Sequence, residues 1–132
     1  MRRTIKFILP LRVKKTKTKL FSLNLNAYRN ANYHLLSDVK NRFNRRFLMD
    51  NGSFDGEKME KCALKYEIFF PDAQKTDLLN VGSIVDKFTS DCLVSYGYIP
   101  DDNHNIIKQI VFVDGGIDRD NPRAELTVTE LS

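Results

Sequence analysis

The chain has 132 residues, 42% of them hydrophobic and 29% charged, with a net charge of +4. That length and composition suit one soluble globular domain with its own core, and no apolar run approaches the roughly 20 residues of a membrane-crossing helix. Residues 1–46 carry thirteen Lys and Arg against Asp38 alone, a net +12, which leaves −8 for the remainder; such a division fits a protein that grips polyanions with one part and holds cations with another.

The opening MRRTIKFILPLRVKK is basic and then apolar, like a signal peptide. The apolar run is short, Pro10 interrupts it, and no small-residue cleavage site follows. Thr4–Leu11 therefore reads as a first strand, ended by Pro10 or placed by it at a sheet edge. Arg12–Lys19 reads as a basic, flexible segment. Lys14, Lys15, Lys17 and Lys19 are candidates for phosphate contacts, which position a protein on nucleic acid without reading its sequence. Phe21–Tyr33 is dense in Asn with interleaved aromatics, a composition that favours turns and caps over helix interiors.

Asn30 or Asn32 can cap a helix running to about Phe47, with Leu36, Val39, Phe43 and Phe47 on its inward face. Lys40, Arg42, Arg45 and Arg46 lie elsewhere on it, where basic residues also suit the helix dipole. His34 and His104 are the only histidines and read as non-catalytic. Asp50–Gly56 is a turn-rich connection. Cys62–Phe70 alternates and then turns apolar, as a strand does, and Pro71 ends it. Cys62 and Cys92 lack metal-site spacing, so they read as buried thiols in a reducing, cytoplasmic setting.

A second helix is expected over Asp77–Cys92, with Leu78, Val81, Val85, Phe88 and Cys92 on one face. Asp77, Asn80, Lys87 and Asp91 form a polar stripe on one flank, and Asp86 projects nearly opposite the apolar face. Gly97 and Pro100 stop the helix, and Asp101 and Asp102 follow in a turn. Carboxylates on a helix edge with two more in the next loop make the oxygen-rich surroundings that hard divalent cations favour. Ile106–Val113 is a strand, Asp114-Gly115-Gly116 a turn, and Ala124–Leu131 a last strand with strict alternation. The order β-α-β-α-β-β gives an α+β fold: a two-layer sandwich of a mixed four-stranded sheet and two helices, as a single domain over residues 1–132.

Lys87-x-x-x-Asp91-Cys92-Leu93 followed by Ile99-x-Asp101-Asp102-Asn103 resembles the core of the RusA-type Holliday-junction resolvases, phage and prophage endonucleases. Ser22-Leu23-Asn24-x-Asn26-x-Tyr28-Arg29-Asn30 resembles the Asn/Tyr-rich segment after that family's first strand, and Asn121-Pro122-Arg123-Ala124-Glu125-Leu126 its Pro-Arg entry to the final strand. The resemblance implies Mg²⁺-dependent hydrolysis of branched DNA, with Mn²⁺ as the alternative ion and no small-molecule cofactor. It implies Asp77, Asp101 and Asp102 as metal ligands and Lys87 as the electrostatic or proton-transfer residue. Asn80, Asp86 and Asp91 would orient the ligands, while Asn26, Tyr28 and Arg29 would contact DNA. A four-way junction is two-fold symmetric and must be cut on two strands, which implies a homodimer.

The chain departs from the family pattern at one place. Counted back from Lys87, Val81 and Ser83 stand where the family has Asp-x-Asp. Either Asp77-x-x-Asn80 is a shifted form of that motif or Asp86 replaces its second Asp. The rival readings are a nucleic-acid-binding module that has lost its metal site and, more remotely, a domain whose basic loop binds an acidic protein.

Overall fold

A computed structural model describes residues 2–132. The elements run β1 (Thr4–Pro10), β2 (Arg12–Lys14), β3 (Leu20–Ser22), α1 (Leu25–Asn30), α2 (Tyr33–Asn51), β4 (Cys62–Phe70), α3 (Leu78–Ser95), β5 (Ile107–Ile117) and β6 (Arg123–Glu130). The main sheet has the order β1-β6-β4-β5. β6 pairs antiparallel with both β1 and β4, whereas β4 and β5 are parallel. The sheet is therefore mixed and four-stranded, as the element pattern implies, and α3 supplies the long crossover that a parallel pair requires.

Alternation assigns the two faces of the sheet. Phe7 and Leu9 of β1, Leu126 and Ala124 of β6, and Tyr66 and Ile68 of β4 lie opposite one another and are buried. Val39, Phe43 and Phe47 of α2 and Val85, Phe88 and Cys92 of α3 join them in one core. Burying a side chain such as Phe43 contributes about 2–3 kcal/mol before the entropy of ordering it. The aromatic centre interlocks: Phe7 stacks on Phe47 at 5.4 Å between centroids and meets Tyr98 edge-on at 4.9 Å.

Two asparagines fix α2. Asn32 Oδ1 accepts the Leu35 N–H at 2.9 Å as the N-cap. At the other end, Asn51 Oδ1 accepts the Ile8 N–H at 2.8 Å and its Nδ2 donates to the Ile8 carbonyl at 3.0 Å. The side chain thus stands in for a strand neighbour beside β1, an edge strand that would otherwise leave these groups open.

The structure departs from the sequence reading in several places. Arg12–Lys19 is not simply flexible: β2 and β3 form a two-stranded hairpin, with Val13 paired to Phe21 and both buried. The Asn-rich stretch contains α1, because Asn24 caps it by accepting the Ala27 N–H at 2.8 Å. The element order thereby gains a hairpin and a short helix. Asp114-Gly115-Gly116 lies inside β5 and is no turn. There the β4–β5 register shifts between Ile68 and Phe69, and Gly116 takes a φ of 105°, so the glycines serve a bulge. Finally, Asp86 faces the sheet and not the solvent opposite the apolar face.

Candidate functional site

α3 presents two different polar flanks. One carries the stripe of Asn80, Lys87 and Asp91, and it is the flank on which the other helices dock. Asn80 Oδ1 accepts the Leu25 N–H at 3.1 Å, which ties down the start of α1. Lys87 Nζ stands 5.7 Å from the centroid of the Tyr28 ring, a cation–π arrangement, and Tyr28 in turn meets Phe88 edge-on at 6.3 Å. Asp91 pairs with Lys40 of α2 at 3.4 Å. Tyr28 and Lys87, which are far apart in sequence, are thereby brought together, while Asn26 and Arg29 remain exposed on α1.

The other flank faces β4 and β5. Gly82 lets the helix approach so closely that a Cβ there would come within 2.5 Å of the Phe112 ring. One turn later, Asp86 Oδ1 accepts two hydroxyl hydrogen bonds, from Tyr66 at 2.6 Å and from Ser90 at 3.0 Å. Tyr66 is wholly buried and stacks on Phe112 at 5.3 Å. Its hydroxyl is held well above its usual pKa, first by burial and then by the Asp86 charge, so it stays a donor.

Burial also raises the Asp86 carboxyl. The two hydroxyls oppose that rise, and the negative charges of Asp102 and Asp91 add to it. The charge of Asp102, in the loop after α3, thus bears on Asp86 as that of Asp91 does. Asp102 is exposed, and its carboxylate has no hydrogen-bond or ion-pair partner among the described residues. Asp101 is used differently. Its Oδ1 accepts the Asp102 N–H at 2.7 Å and its Oδ2 accepts from Asn103 Nδ2 at 3.0 Å, which fixes the turn that presents Asp102.

Asp77 lies at the start of α3, exposed and without a side-chain capping bond. Nine residues of helix separate it from Asp86, roughly 13 Å along the axis. Of the carboxylates considered from sequence, Asp86 is held against Tyr66 of β4, Asp102 is exposed in the loop after α3, Asp91 is paired with α2, Asp101 shapes its own loop, and Asp77 stands at the start of α3. Among the described residues, no three of His, Cys, Asp and Glu converge as a metal-holding group.

Lys14, Lys15, Lys17 and Lys19 all project from the hairpin and its tip into solvent. The backbone N–H groups of Lys15 and Thr16 donate to the Lys19 carbonyl and close that tip. His34 and His104 are exposed. Both cysteines are free and buried. Cys92 donates through Sγ to Asn44 Oδ1 at 3.0 Å, and burial, with a smaller effect of Asp91, pushes its thiol up to about 12, so it is no nucleophile at neutral pH.

Sequence reasoning missed Tyr66, Ser90 and Lys40. Ser90 was within reach of a spacing rule, since residues four apart on a helix are neighbours. Tyr66 had a weaker signal: a tyrosine on the inward face of a strand needs a partner for its hydroxyl. No protein-family model matches the chain, and no curated protein matches it at a significant level.

Proposed function

We propose that this protein is a Mg²⁺-dependent, structure-selective endodeoxyribonuclease acting on branched DNA. The observation that carries the reading is the half-buried Asp86, locked through a single oxygen by two hydroxyls, with the unpartnered Asp102 in the following loop, in a turn fixed by its neighbour. That arrangement leaves Asp86 Oδ2 and the Asp102 carboxylate as candidate donors, all oxygen. Mg²⁺ retains several waters and takes one or two carboxylates, not an all-protein cage, so two such groups fit it, and Mn²⁺ accepts the same donors. A bound cation would also relieve the like-charge repulsion between them. The chemistry it supplies is a more acidic bound water and withdrawal of charge from the phosphate.

The remaining roles fall to the chain. Tyr66 and Ser90 orient Asp86, as residues behind a ligand do. Asp101 holds the turn that presents Asp102. Lys87, on the flank of α3 away from Asp86 and held beside Tyr28, offers its positive charge to the DNA backbone and not to the phosphate at the metal. Arg29 and the hairpin lysines supply further cations for the DNA backbone. A homodimer would bring two such sites to a two-fold junction. Resemblance alone points to phage or prophage recombination and repair in the cytoplasm of a bacterial cell. What the fold contributes on that point is that no helix of the described residues is long and apolar enough to cross a membrane.

The second reading, a nucleic-acid-binding module without a working metal site, is favoured by Val81 and Ser83 at the motif's Asp positions. Incubation with a synthetic four-way junction and Mg²⁺ separates the two. The nuclease reading expects symmetric nicks that vanish in Asp86→Asn and in Asp102→Asn. Salt-sensitive binding without any nick supports the module instead.

A further inference from the structure

We propose that the groove between α2 and the β2–β3 hairpin grips the sugar-phosphate backbone of a duplex DNA arm. A depression of about 240 Å³ opens there, lined by Lys14 of the hairpin and by Arg42, Arg45, Arg46 and Met49 of α2. The α2 residues recur at i, i+3, i+4 and i+7 and share one outer stripe, while Val39, Phe43 and Phe47 turn into the core. The hairpin rests against α2 through buried Val13, which also lines the groove. Lys15, Lys17 and Lys19 continue the positive surface beyond it.

The four cations of this groove face little compensation. Arg46 pairs with Asp50 at 3.4 Å, whereas Lys14, Arg42 and Arg45 have no carboxylate within ion-pair distance among the described residues. Gathering like charges costs stability unless a polyanion relieves it. Three of the four are Arg, whose planar fork matches phosphate oxygens. Their arrangement over two elements suits a run of phosphates better than a single anion. The surface is ill suited to lipid, because the apolar face of α2 is spent on the core and, of the exposed apolar residues Tyr33, Leu48 and Met49 of α2, only Met49 lines the groove. It also lacks the buried aromatic anchors typical of protein partners. The proposal rests on the reading of the chain as a DNA-binding protein, but not on its cutting.

The test is fluorescence anisotropy with a labelled DNA duplex in EDTA, over a range of salt, with the full chain. Lys14→Ala/Arg42→Ala/Arg45→Ala is expected to flatten the log–log salt slope by about 2.7, at 0.9 per phosphate contact, and to weaken binding roughly 100-fold at moderate salt. Arg45→Glu, an exposed single change checked for folding by circular dichroism, is expected to weaken binding in the same direction. Lys65→Ala, on the opposite face of the main sheet, is the control and is expected to leave the slope unchanged. An unchanged slope in the triple variant overturns the proposal, as does an equal loss from Lys65→Ala. Tighter binding to phosphatidylserine vesicles or to polyglutamate than to duplex also overturns it. A Mg²⁺ nicking assay on the same proteins keeps the two readings apart: a wild type that never nicks, yet loses duplex affinity in the triple variant, leaves the groove standing and removes the nuclease.

Discussion

Asp86 is the residue whose surroundings most need explaining. A half-buried carboxylate that feels the charges of Asp102 and Asp91 is a poor choice for stability alone, because burial and like charge both disfavour the ionised form. Its raised pKa means that the folded state holds the proton more tightly than the unfolded chain. In metal-free buffer, the contribution of Asp86 to stability therefore falls as pH rises from the ordinary carboxylate value through the raised one. Asp86→Asn keeps an oxygen for Tyr66 and Ser90 and removes the charge. We expect its melting temperature to exceed that of the wild type by a few degrees at neutral pH in EDTA, with the difference closing in acid, while junction nicking is lost. A variant less stable than wild type at neutral pH would contradict this account of the site. Tyr66→Phe removes the other half of the arrangement. Deleting the hydroxyl should cost about 1 kcal/mol in urea unfolding and lower the apparent affinity for Mg²⁺ in nicking roughly 10- to 100-fold. Equal Mg²⁺ dependence in Tyr66→Phe and wild type would leave Tyr66 a purely structural role.

At the scale of elements, α3 shows why the position of Asp86 was misjudged. A helical projection that expects one apolar stripe finds Leu78, Val81, Val85, Phe88 and Cys92 and places Asp86 far from it. The helix packs on two partners, α2 on one side and the sheet on another, so Gly82, Asp86, Thr89 and Ser90 turn toward protein as well. Gly82 makes the second contact close enough to matter. Gly82→Val gains a little helix propensity but drives a side chain into the Phe112 ring, so a net loss of about 1–3 kcal/mol is expected in urea unfolding. Because Phe112 stacks on Tyr66, the same change should also weaken nicking. Wild-type stability in this variant would mean that α3 does not lie so close to β5. The Asn-rich segment teaches a related lesson. Composition argued for turns and caps, and Asn32 caps α2 as its spacing implies, but Asn24 caps a helix, α1, that composition did not suggest.

For the whole molecule, the charge division read from composition reappears as a division in space. The hairpin and the outer stripe of α2 are basic, while Asp86 lies where α3 meets β4 and the exposed Asp102 follows in the next loop. On the proposed nuclease reading, a four-way junction needs the site twice, related by two-fold symmetry. Sedimentation equilibrium should therefore give twice the 15.3 kDa of one chain. A monomer at the concentrations where junctions are cut would require two independent encounters and would predict nicks that are not paired across the junction.

The sequence by itself determined the local and periodic features. The strand alternation, the inward residues of α2, the Asn32 cap and the end of α3 near Gly97 all depend on near neighbours and on the repeat of the backbone. It likewise marked Asp101 and Asp102 as a turn, since Asx chemistry acts over one or two residues. Tertiary structure alone decided what lies across space. It put Tyr66 of β4 against Asp86 twenty residues away, set Lys87 over Tyr28, and paired Lys40 with Asp91. Those pairings follow from the crossover of α3 between two parallel strands and from the close approach that Gly82 permits, and no repeat along the chain encodes either distance.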